Sequence, residues 1–129
     1  MSFVTRDVAL KVIHCIRETL VRLERRDRSL GDQARRAATS IVLNIEEGNR
    51  RKGGDREHHF RIAAGSAAEL RAALLIAVAW GYIAEPTEVL GHLDRLGGLL
   101  YGLTRVKPQS SASSRSRIAS TDSTVASST

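Results

Sequence analysis

Between Leu30 and Arg51 two stripes of residues recur at alternating spacings of three and four. This pattern constrains the fold more than any other feature of the chain. Leu30, Ala34, Ala37, Ala38, Ile41 and Ile45 make an apolar stripe, the core face of an α-helix. Beside it, Gln33, Arg36, Ser40, Asn44, Glu47 and Arg51 make a polar stripe at the same spacing. Small hydroxyl and amide groups favour caps and turns over helix interiors. Ser40 and Asn44 inside a helix therefore suggest a fixed, partly buried hydrogen-bond network. The expected network joins Arg36, Ser40, Asn44 and Glu47 to Ser66 and Glu69 on the following helix, within one subunit or between subunits.

The flanking segments repeat the helical period. A first helix is expected from about Thr5 to Arg26, with Val8, Val12, Ile16, Leu20 and Leu23 inward and Leu10, Ile13 and Val21 off that face. Arg25 to Asp32, with Ser29 and Gly31, reads as a tight turn. The second helix is expected to run to about Arg50, with Gly48 and Asn49 as terminators. Lys52 to Asp55 is a second turn, and Asp55 is the expected N-cap of a third helix from Arg56 to Trp80. That helix carries two seams. One is Phe60, Ala63, Ala67, Leu70, Leu74 and Ala77; the other is His59, Ile62, Ser66, Glu69, Ala73, Ile76 and Trp80. Two seams mean more than one neighbour, as inside a bundle, and the second also fits an oligomer contact. Pro86 fits the first turn of a fourth helix running to about Arg105, with Val89, Leu93, Leu96, Leu100 and Leu103 inward. Gly91, Gly98 and Gly102 share its other side, where a close helix or a poorly optimised solvent face would fit equally. No run shows strand alternation. The expected fold is all-α, an up-down-up-down antiparallel four-helix bundle over residues 1–107. A Ser/Thr-rich tail, 108–129, is too poor in apolar residues to repay its ordering entropy and is expected to be disordered.

Composition sets the bounds around that fold. The chain has 129 residues, a formal net charge of +6, and only 4% aromatic residues, so alanine and leucine must fill the core. Seventeen of its twenty basic residues are arginine, whose planar fork suits phosphate. The charge fits a polyanion partner and equally a solvated arginine-rich surface. Cys15 is the only cysteine and reads as a small buried hydrophobe. Residues 3–16 are broken by Thr5, Arg6, Asp7 and Lys11, so no secretory leader is expected. The longest uninterrupted apolar run, Ala72 to Trp80, is too short to span a bilayer. A cytoplasmic protein without membrane contact is the expectation.

Catalytic chemistry finds little purchase. A di-iron site in a bundle needs two Glu-x-x-His pairs and two further glutamates. The nearest match, Asp55 with His58, sits at a helix start, and Glu88 with His92 reads as an isolated i, i+4 pair. No metal or other cofactor is expected. Ser40 and Ser66 lack the adjacent base that a nucleophile needs, and Gly53-Gly54 lacks the phosphate-cradling pattern. The chain is expected not to be an enzyme.

Several motifs together resemble a known family. They are Arg36-Ala37-Ala38-Thr39-Ser40-Ile41, Asn44-Ile45-Glu46-Glu47-Gly48, Arg51, Phe60, Ala64-Gly65-Ser66, Glu69-Leu70 and Trp80-Gly81-Tyr82. In order and spacing they resemble the small bacterial four-helix-bundle proteins encoded within intervening sequences of large-subunit ribosomal RNA genes. The accessory protein of diversity-generating retroelements is similar in fold. The resemblance covers about residues 5–106. It implies a homopentameric ring that binds RNA or DNA and works beside a reverse transcriptase or RNA-processing protein. The alternative is a protein–protein scaffold with no nucleic-acid role. Val42 stands where the family usually has proline, and Glu46 where it has alanine, so helix two should be straighter and more charged near its end.

An antiparallel bundle puts turns one and three at one end and turn two with both termini at the other. Arg25, Arg26, Arg28, Arg35 and Arg36 then gather at the first end. Arg50, Arg51, Lys52 and Arg56 gather at the second, with Arg105 and Lys107 nearby, and the tail's Arg115 and Arg117 within reach. The second cluster, beside a glycine turn, is the favoured nucleic-acid rim.

Overall fold

A computed structural model describes residues 2–104. Four helices follow one another: α1, Ser2–Arg26; α2, Arg28–Asn49; α3, Gly53–Ala79; α4, Thr87–Thr104. Each packs on two others, α1 on α2 and α4, and α3 on α2 and α4. Cross-links fix the antiparallel sense. Arg6 near the start of α1 pairs with Glu46 near the end of α2, while Glu24 near the end of α1 pairs with Arg35. Arg71 of α3 pairs with Asp94 of α4. The fold is the four-helix bundle that the periodicity requires. The expected tail from 108 onward lies outside the described residues, as do Arg105, Lys107, Arg115 and Arg117.

The core is built from the predicted faces. Val8, Val12, Ile16, Leu20 and Leu23 meet Ala34, Ala37, Ala38, Ile41 and Ile45 of α2, the Phe60–Ala77 seam of α3, and Val89, Leu93, Leu96 and Leu100 of α4. By length and composition α3 is apolar enough to cross a membrane, a test that a bundle's core helix also passes. Here its large side chains Phe60, Leu70 and Leu74 are fully buried within the bundle.

The second α3 seam divides. Ser66 and Ala73 are buried and His59 is half-buried, but Ile62, Glu69, Ile76 and Trp80 are exposed. The helix is lined on two sides only in part by its own chain.

The turns differ from the sequence expectation, and each difference has a steric cause. Turn one is a single residue. Asp27, in extended conformation, accepts a hydrogen bond from the Leu30 amide at 3.0 Å and caps α2, so Ser29 and Gly31 are helical. Gly31 is there for closeness: a Cβ would lie 2.5 Å from Glu24 Cγ and 2.9 Å from its Cα. Gly48 likewise does not end α2. It is buried under Phe60, whose Cε1 would stand 2.7 Å from an added Cβ. The third helix begins earlier than expected, at Gly53 with φ +60°. Lys52 takes the cap position without a side-chain bond, leaving Asp55 in the first turn rather than at the cap. Gly81, with φ +81°, closes α3: the Gly81 and Tyr82 amides donate back to the Val78 and Ala77 carbonyls, each at 2.9 Å, a Schellman ending. Pro86 precedes α4 rather than lying in its first turn, and its carbonyl accepts from the Leu90 amide. Among the described residues nothing approaches within 4 Å of a Cβ built on Gly91, Gly98 or Gly102.

Two glycine substitutions should therefore act in opposite directions. Gly31→Ala pushes against backbone and should destabilise by about 1–3 kcal/mol. Gly65→Ala, exposed in mid-helix with open space around it, should stabilise by about 0.5–1 kcal/mol. Thermal unfolding followed by circular dichroism checks both. A Gly31→Ala protein that melts with the wild type would show the α1–α2 contact to be looser than described.

Candidate nucleic-acid interface

Between α2 and α3 runs a line of hydrogen bonds. Ser66 Oγ donates to Ser40 Oγ at 2.8 Å. The Asn44 amide nitrogen donates to the same Ser40 Oγ at 3.2 Å and to the Ser40 carbonyl at 3.0 Å. A carbonyl only accepts, so the amide nitrogen faces Ser40 and Asn44 Oδ1 faces His59 Nδ1, 3.0 Å away. His59 must then carry a proton on Nδ1. No buried side-chain nitrogen or oxygen lacks a partner among the described residues. Of the six residues expected in this network, Ser40, Asn44 and Ser66 are joined. Glu47 instead binds Arg51, and Arg36 and Glu69 are exposed and make no bond to the line among the described residues. Both lie where the helix surface has already turned to solvent. His59 is the member that sequence reading left out of the network, although it begins the same α3 seam as Ser66.

The two serines bond to each other and His59 bonds to an amide, so no hydroxyl here is paired with a base. The Glu88–His92 pair is not isolated, contrary to the sequence reading. Cys15 of α1 stands beside it, 73 residues away from Glu88 in sequence and invisible to any spacing argument. Burial, then the Glu88 carboxylate, pushes the Cys15 thiol pKa up.

Ion pairing separates the two basic ends. At the second end Arg51 is held by Glu47, at 2.6 Å, and by Asp55, at 3.1 Å. The Arg51 guanidinium holds the Glu47 carboxylate below its usual range. Arg56 lies over the Phe60 ring, 4.8 Å from its centroid, and reaches the Gly48 carbonyl. Arg50 and Lys52 are exposed. The rim favoured on sequence is thus half engaged by its own carboxylates and core.

At the first end Arg35 grips Glu24 in a two-bond fork of 2.7 and 3.1 Å, which lowers the Glu24 pKa. Arg25 and Arg28 line a shallow concavity of about 730 Å³ with Val21, Glu24 and Asp32. An adjoining one of about 470 Å³ adds Arg17, Glu18 and Arg22. Arg17, Val21 and Arg25 recur every four residues along the outer side of α1, a signal that was readable in the sequence and was missed. Turn three adds aromatic surface. Trp80, 69% exposed, stacks on Tyr82 with centroids 6.4 Å apart, and the Arg26 guanidinium lies 5.4 Å from the Tyr82 centroid. The ladder Arg26–Tyr82–Trp80 ties turn one to turn three.

Leu43, 63% exposed, lies on the outer side of α2, and Ile62 and Ile76 are exposed along α3. They flank the hydrogen-bonded line, with Arg36 and Arg50 one heptad either side of Leu43.

The line of bonds makes a stability prediction. Asn44→Ala removes the donor to Ser40 and the acceptor for His59, and should cost about 1–3 kcal/mol. Glu69→Ala, at an exposed site without a bonded partner in the line, should stay within about 0.5 kcal/mol of wild type. Denaturant unfolding measures both. If the two variants unfold alike, the network contributes nothing beyond a solvated surface.

The family model of the 23S rRNA-intervening sequence protein matches residues 5–102. No curated protein and no solved structure matches the chain. The likeness to the retroelement accessory protein thus has no support from these matches. The chain belongs to the 23S rRNA-intervening sequence protein family.

Proposed function

We propose that this family member is a non-enzymatic RNA-binding accessory protein that grips single-stranded RNA at the end formed by turns one and three. The observation that carries the reading is the Arg26–Tyr82–Trp80 ladder beside the arginine-lined concavities. Arginines supply sequence-independent attraction to phosphate, and an exposed aromatic face supplies stacking for an unpaired base, worth about 1–3 kcal/mol. Six arginines, at 17, 22, 25, 26, 28 and 35, stand with five carboxylates, Glu18, Glu24, Asp27, Asp32 and Glu85, in this region. The opposite rim sets Arg50, Arg51, Lys52 and Arg56 against Glu47, Asp55 and Glu57, so it is the aromatic surface of exposed Trp80 stacked on Tyr82, not net charge, that favours the first end. The family's name, with its 23S rRNA intervening sequence, agrees with an RNA-related role. A reverse transcriptase or RNA-processing protein is the partner class that the sequence resemblance implies.

The exposed Leu43, Ile62 and Ile76 favour a second element, self-association through the outer face of α2 and α3, with the pentamer implied by the resemblance as the expected state. Apolar side chains flanking polar groups suit a protein contact better than an RNA contact. A protein–protein scaffold without RNA is the rival reading.

Three variants separate these readings. Arg25→Glu with Arg28→Glu should weaken single-stranded RNA binding and flatten its log–log salt dependence by about 0.7 per lost contact. Trp80→Ala should weaken binding about tenfold with the slope unchanged. Arg50→Glu with Lys52→Glu should bind as the wild type does. Fluorescence anisotropy across a salt series reads all three. No binding by the wild type at low salt would leave the scaffold reading. Separately, Leu43→Glu with Ile62→Glu should reduce the mass measured by light scattering. An unchanged mass would remove the α2–α3 face as the contact.

A further inference from the structure

On the side of the bundle formed by α1 and α4, these two helices bring together three metal-ligating side chains of different chemistry. Cys15 comes from the middle of α1. Glu88 and His92, one turn apart near the start of α4, present a carboxylate and an imidazole to the same space. The thiol sulfur, a carboxylate oxygen and a ring nitrogen all lie within 4.8 Å of one another. Glu88 Oε2 and His92 Nε2 are 3.8 Å apart. We propose that Cys15, Glu88 and His92 form a site for a divalent transition-metal ion of the zinc class, stapling α1 to α4.

The geometry is close to what such an ion needs. Zinc–sulfur bonds of about 2.3 Å and zinc–nitrogen or zinc–oxygen bonds of about 2.0–2.1 Å put tetrahedral ligand atoms roughly 3.4–3.6 Å apart. The Glu88–His92 separation of 3.8 Å exceeds this by a few tenths of an ångström, and the set as a whole, within 4.8 Å, must draw in by up to about 1 Å on binding. The Glu88 side chain, 77% exposed, already engages both the Cys15 thiol and His92, whereas the His92 side chain is 24% exposed and Cys15 is half-buried. A half-buried thiol is reachable by an ion from solvent.

The chemistry selects the ion. Thiolate with imidazole favours zinc, cobalt or nickel over magnesium and calcium, which take oxygen ligands. On binding, the Cys15 thiol gives its proton to solvent and its lone pair to the metal. Thiolate and carboxylate then balance a dication, with neutral imidazole as third ligand and the fourth position left to water. Lys11 is near enough to Cys15 to oppose a cation, and the two negative ligands outweigh it. No oxidant or reductant is involved. The consequence is structural: of the four closely packed helix pairs, α1 with α4 is the one that no turn connects, and the ion would close the bundle between them.

Cobalt(II) titration of the reduced, tag-free full-length protein tests the site. A thiolate-to-cobalt charge-transfer band in the near ultraviolet, with the intense visible bands of a tetrahedral ion, is expected, and zinc should displace both. The charge-transfer band should vanish in Cys15→Ser. Losing a group that merely orients a ligand costs about 10–100-fold in metal affinity. Glu88→Gln and His92→Ala should therefore each weaken cobalt binding by at least about 100-fold. Zinc should also raise the melting temperature of the wild type and leave that of Glu88→Gln unchanged. Glu88 is exposed, so this variant keeps its fold, as circular dichroism will verify. Absence of the charge-transfer band at cobalt far above the protein concentration overturns the proposal. So does a band that survives Glu88→Gln and His92→Ala unaltered.

Discussion

The close approach of α2 to both of its neighbours is the constraint on which the rest of the structure depends. At one end Gly31 lets the backbone of α2 come against Glu24 of α1, and at the other Gly48 lets it come against the ring of Phe60. Between them Ala34, Ala37, Ala38 and Ala63 keep the contact shallow. With so few aromatic residues, a core of this size closes only if the helices draw together, because voids forfeit dispersion contacts. The same closeness allows Ser40 and Ser66, two of the shortest polar side chains, to bond across the gap at 2.8 Å. Larger residues at the glycines would move the helices apart, and the serines would lose each other before the core lost its leucines.

Much of this was legible in the chain and part was not, for physical reasons. Helical period gave every core face, since burial selects apolar residues at fixed angular spacing. Val8 to Leu23, Ala34 to Ile45 and Phe60 to Ala77 are buried where periodicity puts them. Glycine misled. Gly31 and Gly48 read as turn signals because glycine is permissive at turns, yet both are helical and exist for contact. Only a partner surface, absent from any one-dimensional pattern, distinguishes the two uses. Asp27 carried the true turn signal and was overlooked among its charged neighbours.

At the candidate site the limit lies in pairing. Sequence counts cations; structure says which are already spent on local carboxylates. Arg51 lies one turn from both Glu47 and Asp55, an i, i+4 arrangement that was readable. Arg35 with Glu24, by contrast, requires knowing that α1 and α2 pack side by side. Arg56 settles on an aromatic ring that the linear pattern assigns to the core. The preference between the two basic ends therefore reverses once pairing is known, although the composition of each end is nearly the same. The Arg26–Tyr82–Trp80 ladder belongs to the same class: it exists because turns one and three meet at one end of an up-down bundle.

The proposed surfaces do not compete for space. The arginines at 17 and 25 lie on the outer side of α1 and the exposed Leu43, Ile62 and Ile76 on the outer side of α2 and α3, while the Cys15 cluster lies between α1 and α4, two turns from Arg22 along α1. Only Trp80 belongs to two of these, since it ends the exposed α3 seam and begins the aromatic ladder. A contact through α2 and α3 would leave every copy's α1 exposed and bring several turn-one ends to one rim. A single shallow concavity with a few arginines binds RNA weakly. Joined copies turn later contacts into intramolecular ones, so avidity grows by orders of magnitude without any new contact. Self-association and RNA binding are thus coupled on this reading: the small site needs the assembly to be useful.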